Sequence, residues 1–95
     1  MPEMHFTVRW PDGQEQTCYS PSLVVQDYLS PGQRYPLPDF LERTQRALSI
    51  ASERVAAKYG FACSRAMDQW SAIASQADAF RAQPEAQIEV LRFEA

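Results

Sequence analysis

The chain has almost no lysine and no run of basic residues. Lys58 is its only lysine, its eight arginines are scattered, and twelve acidic residues bring the formal net charge to −3. A patch that would hold nucleic acid or an anionic membrane surface is therefore not expected. Long apolar runs are missing too, and none approaches the ~20 residues of a membrane span. Met1 to Trp10 shows no basic segment followed by an apolar stretch, so no export signal is expected. Only Cys18 and Cys63 carry thiols, too few for a disulfide framework, and both are expected to be reduced in a cytoplasm. The single histidine, His5, and the two distant cysteines do not form a ligand spacing for zinc, so no metal and no cofactor are expected. The three glycines, Gly13, Gly32 and Gly60, stand alone at turns, which excludes a phosphate-cradling loop.

What is present is ordinary for a folded protein. An apolar fraction of 45% argues against disorder. Ninety-five residues predict one domain, 1–95, that hides about 60–65% of its unfolded surface and folds with little margin.

The longest periodicity runs from Asp39 to Tyr59. Phe40, Thr44, Leu48, Ala51, Val55 and Tyr59 recur at steps of three and four, which places them on one helical stripe. Asp39 and Glu42 near its start, and Arg54 and Lys58 near its end, suit the helix dipole. Asp39/Arg43 and Glu42/Arg46 are expected i,i+4 pairs, and Gly60 is a natural cap. Ser64 opens a second helix, with Ala66, Trp70, Ile73, Ala77 and Phe80 as its stripe and Met67 and Ala74 beside it. Gln83-Pro84 ends it. A connection as short as Gly60–Cys63 predicts an antiparallel helical hairpin.

Strands flank this hairpin. Met4, Phe6, Val8 and Trp10 alternate with polar residues, the period of a half-buried strand. Pro11-Asp12-Gly13 turns the chain, and Gln14 to Tyr19 returns as an edge strand. Pro21–Leu29, capped by Ser20, reads as a short helix, with a third strand as the alternative because Val24 and Val25 are β-branched. Gln33–Pro38 reads as a loop. Ile88, Val90, Leu91 and Phe93 place apolar residues on both faces of a last strand, which predicts a central strand or an oligomer contact. The expected fold class is α+β. A small antiparallel sheet, made of the N-terminal hairpin and the C-terminal strand, carries the two-helix hairpin and a short extra helix.

No catalytic constellation stands out. Cys18 and Cys63 are the candidate nucleophiles, because each precedes a helix start whose dipole can lower a thiol pKa, and His5 is the one candidate base. The competing reading makes both cysteines small buried hydrophobes. Tyr19, Ser20, Ser22 and Ser64 are candidate anion or ligand contacts at helix starts, against the simpler reading that the serines only cap helices.

Five stretches carry a likeness: Met1-Pro2-Glu3-Met4, Phe6 to Gly13, Cys18-Tyr19-Ser20-Pro21-Ser22, Ala51 to Val55, and Tyr59 to Ser64. In these the chain resembles a bacterial family of nitrogen starvation response proteins, nearly end to end. The resemblance implies genes beside a nitrilase, a radical-SAM protein, an acyltransferase, a flavin-dependent oxidoreductase and a protein like aminoimidazole ribotide synthase. Such clusters are associated with assimilating nitrogen from nitriles or cyanide. It implies a cytoplasmic accessory role in that pathway and supplies no catalytic residue. Together with the small size and the lack of a catalytic constellation, it makes a non-catalytic accessory or small-ligand- or partner-binding protein, with enzymes of the same cluster as partners, the expected function. Two other functions compete: a small thiol-dependent enzyme or carrier using Cys18 or Cys63, and a sensor that takes a nitrogen metabolite at the Ser20 or Ser64 helix end. An open sheet edge would favour a homodimer.

Overall fold

A computed structural model describes residues 3–60, 64–83 and 85–94. The chain runs β1 (Met4–Arg9), β2 (Glu15–Ser20), a 3₁₀ turn (Leu23–Asp27), β3 (Arg34–Pro36), α1 (Leu37–Tyr59), α2 (Ser64–Asp78) and β4 (Gln87–Glu94). The strands form one antiparallel sheet in the order β2-β1-β4-β3. The fold is α+β, as the sequence pattern predicts.

The first hairpin forms for the expected reasons. The Trp10 N–H donates to the Gln14 carbonyl at 2.8 Å, and the Gly13 N–H donates to the Trp10 carbonyl at 2.9 Å. Asp12 accepts from the Gln14 N–H at 3.0 Å. Gly13 turns at a φ of 91°, which only glycine adopts cheaply. Met4, Phe6, Val8 and Trp10 all point inward and are buried. Residues from every strand and helix meet in or against one cluster there, where Trp10, Phe6, Phe40 and Met4 are the bulkiest fully buried members.

β4 lies between β1 and β3, the central position its apolar content predicts. The apolar residues on both faces have a different cause, however. The register shifts between Thr7 and Val8: Val8 faces Val90, while Thr7 faces Arg92, leaving Leu91 as an extra residue. This bulge resets the alternation. Ile88 and Val90 face the core before it, and Phe93, opposite the inward Phe6, packs against the core after it.

Two other expectations are corrected. Pro21–Leu29 is not an α-helix; only Leu23–Asp27 is helical, as a 3₁₀ turn capped by Ser22 and not by Ser20. The β-branched Val24-Val25 pair and the Pro31-Gly32 turn leave too few residues for an α-helix to nucleate. Gln33–Pro38 is not a plain loop, because Arg34–Pro36 pairs with Gln87–Glu89 as an edge strand. Leu37 then opens α1 with Pro38 in its first turn.

α1 buries Leu37, Phe40, Thr44, Ala47, Leu48 and Ala51. Beyond Ala51 the predicted stripe leaves the core: Val55 is half-buried and Tyr59 is 53% exposed. The reason is length. Twenty-three residues make a helix of about 34 Å, while six-residue strands span roughly 20 Å. The far end of the hairpin therefore overhangs the sheet. Gly60 closes α1 at a φ of 84°, its N–H on the Ala56 carbonyl at 2.8 Å. The remainder of the expected loop, Phe61 to Cys63, lies outside the described residues, as does Pro84. α2 ends at Asp78, earlier than Gln83-Pro84 suggests, yet Phe80 still turns into the core.

Within α1, the Thr44 hydroxyl is the one buried side-chain polar atom without a hydrogen-bond partner among the described residues. A buried hydroxyl without a partner costs about 1–3 kcal/mol. Thr44→Val keeps the branched shape and removes that cost, so we expect it to raise stability by about 1 kcal/mol. A midpoint of urea unfolding that falls in this variant would show that the hydroxyl has a partner.

Candidate functional site

Cys18 sits on β2 opposite Phe6, facing the core, and is fully buried. Burial withholds the water that a thiolate needs and pushes the thiol up to about 12 from its ordinary 9.0. Its closest polar neighbour is the Gln16 carbonyl, 3.9 Å from Sγ. The side chain is a protonated small hydrophobe at neutral pH.

His5 is on the other side of the sheet. It pairs in register with Tyr19, whose side chain shares the outer face, and the two rings meet edge-on at 5.8 Å. The sheet thus separates His5 from Cys18, and the two cannot work as base and nucleophile. Cys63 lies outside the described residues.

The raised thiol has a consequence for stability. A group whose folded pKa is raised stabilises fully below its unfolded value and loses that contribution as pH climbs to the folded one. Stability should therefore fall from about pH 9 towards pH 12. Cys18→Ala should lose less over that window than the parent, read as the change in urea midpoint with pH. Every other titratable group is common to the two proteins, so the difference isolates Cys18. Parallel slopes would mean that the thiol is not buried in solution.

The serines of the β2 end are tied into the fold. The Ser20 hydroxyl donates to the Ser22 carbonyl at 2.7 Å, and both serines are buried. Ser22 Oγ accepts from the Val24 N–H at 3.3 Å and from Arg54 at 3.1 Å. Their oxygens hold the 3₁₀ turn and fasten it to α1. Tyr19 N–H donates to Gln69 Oε1 at 2.9 Å, and the Arg65 guanidinium lies 3.9 Å from the Tyr19 ring centre. Ser64 is exposed at the first residue of α2, away from the other three. The structure therefore brings Tyr19, Ser20 and Ser22 together only as neighbours along the chain; His5 meets Tyr19 alone, on the outer face, and Ser64 stands apart. Among the described residues, no group of three His, Cys, Asp or Glu side chains could hold a metal ion. No helix there is long and apolar enough to cross a membrane.

One open feature of the surface is a cleft of about 340 Å³ between α1 and α2. Leu48, Ala66 and the half-buried Trp70 supply apolar lining, and Met67 stands beside them at 59% exposure. Gln45, Ser49, Ser52 and Ser71 supply the polar lining, and no charged residue enters it. The cleft leaves no pattern in the sequence because its residues are spread over two helices. Met67 is the one available signal: it was expected to flank the core stripe but projects into water.

Fold and surface together define a small two-layer α+β protein, a helical pair on one face of a four-stranded sheet, with an uncharged cleft between the helices. The chain belongs to the nitrogen starvation-induced protein NitG family, whose model matches residues 5–93. No curated protein and no solved structure matches it.

Proposed function

We propose that this chain is a non-catalytic accessory protein that binds enzymes of a nitrilase-linked pathway for nitrogen from nitriles or cyanide. Membership of a family of nitrogen starvation-induced proteins supports a role in nitrogen assimilation. The observation that carries the accessory role is the separation of Cys18 from His5 by the sheet, with the thiol buried and protonated. A thiol mechanism at Cys18 would need an accessible, ionised sulfur and a base beside it. The cytoplasm is the proposed location.

The test is co-purification from cells grown on a nitrile as nitrogen source, with a tagged chain as bait. The enzymes encoded beside it should be enriched over cells grown on ammonium. Recovery of none of them would remove the accessory reading. Rapid alkylation of the folded protein near neutral pH, abolished by Cys63→Ser, would replace it with a thiol-dependent activity.

A further inference from the structure

The sheet edges offer little for self-association. α2 runs along β2 and takes its Tyr19 N–H through Gln69, while β3 is only three residues long and ends at Pro36, which has no N–H to offer. The exposed face of the helical pair is different. Along α1 its outward ridge passes through Glu42, Ser49 and Ala56, with Arg46 and Glu53 on one shoulder and Gln45 and Ser52 on the other. Short side chains at Ser49, Ser52 and Ala56 let another helix approach closely. Arg46 is paired only with Glu42, at 3.2 Å, and Glu53 has no ion pair among the described residues.

From this arrangement we infer that the chain forms a two-fold homodimer through the α1–α2 face, with α1 of one copy antiparallel to α1 of the other near Ser49. The charges select this arrangement. A two-fold axis at Ser49 places position 46 against position 52, one residue from 53, and keeps both on the same shoulder. Arg46 of each copy then meets the unpaired Glu53 of the other, twice over. The same operation sets the two uncharged clefts face to face, and both Met67 side chains leave water. An isologous contact of this kind needs a self-complementary patch, which an Arg/Glu pair placed symmetrically about small residues provides.

The footprint sets the strength. From Glu42 to Ala56 the ridge is about 21 Å long, and two helices side by side are roughly 20 Å wide. That is a projected area of about 400 Å² on each copy, about 800 Å² in all and below the standard size of a stable interface, so the dimer should be a weak one that dissociates at micromolar or higher concentration.

Sedimentation velocity over roughly 1–300 µM tests the inference. The unmodified protein should shift from monomer to dimer across that range. Ser49→Arg sets like charges against each other at the axis and should weaken association at least tenfold, with the far-UV spectrum unchanged. Arg46→Glu and Glu53→Arg should each weaken it, and the double swap should restore it. The exchange keeps every substitution on an exposed helical surface, so folding is preserved. A monomer at 300 µM would overturn the inference. So would a dimer indifferent to Ser49→Arg, or a double swap no stronger than the single variants.

Discussion

Trp10→Ala should destabilise the protein by about 3–5 kcal/mol, the range for truncating a buried aromatic. Trp10 is 2% exposed at the end of β1, where three parts of the chain converge on its ring. Phe40 of α1 meets it edge-on with centroids 5.7 Å apart. Phe80, beyond α2, stacks on it at 5.8 Å. Its Nε1–H donates to Gln16 Oε1 on β2 at 2.9 Å. The indole thus joins the first hairpin, the long helix and the turn into the last strand. A domain of this size holds roughly 5–14 kcal/mol in total. The variant should therefore melt at least about 12 °C below the parent, taking 4–8 °C per kcal/mol. Trp10→Phe, which keeps an aromatic ring but loses the donor and some volume, should lose less. Equal losses in the two variants would show that the Gln16 bond or the full indole volume, and not the aromatic contact, holds this corner.

Leu48→Ala has the second largest expected effect, about 2–5 kcal/mol. Leu48 is 3% exposed and belongs both to the core cluster and to the lining of the α1–α2 cleft. Its removal would extend the cleft into the core instead of leaving a sealed cavity, so water entry could place the loss near the lower end. The informative comparison is Tyr59, which lies on the same predicted stripe three turns later. Tyr59→Ala should cost less than about 1 kcal/mol, because more than half of its surface stays in water. Urea unfolding of both variants reads the contrast. Equal losses would place the overhanging end of α1 inside a packed core, contrary to the structure.

The two expectations differ because one periodic pattern serves two environments. Steps of three and four from Phe40 to Tyr59 define a helical stripe wherever the helix goes, but they carry no information about how far the sheet beneath extends. That extent depends on strand length, and six-residue strands end before α1 does. The same limit explains the last strand. Apolar residues at Ile88, Val90, Leu91 and Phe93 look two-sided in sequence, and the bulge that reconciles them arises from pairing with β1. β3 shows the limit most sharply. Arg34-Tyr35-Pro36 has no alternation to read, and becomes a strand only because the uncovered edge of β4 accepts it.

The candidate site was less legible than the fold. Cys18 and His5 lie thirteen positions apart in sequence, and each suits catalysis by residue type. Hairpin register decides their relation, since Phe6↔Cys18 and His5↔Tyr19 are adjacent pairs on opposite faces. A shift of one residue would have put Cys18 on the same face as His5. Ser20 and Ser22 look alike as caps, and only the folded chain gives Ser22 the capping role and an Arg54 partner.

By itself the sequence determined the elements whose causes are local. These are the alternation of β1, the Pro11-Asp12-Gly13 turn, the helix from Phe40 through Ala51 with its Asp39/Arg43 and Glu42/Arg46 pairs, and the Gly60 cap. Each follows from side-chain periodicity or backbone freedom within a few residues. Tertiary structure alone decided the strand order, the bulge at Leu91, the third strand, the face on which each candidate residue stands, and the cleft between α1 and α2. All of these depend on contacts between segments far apart in the chain, where a local pattern has no means of recording its partner.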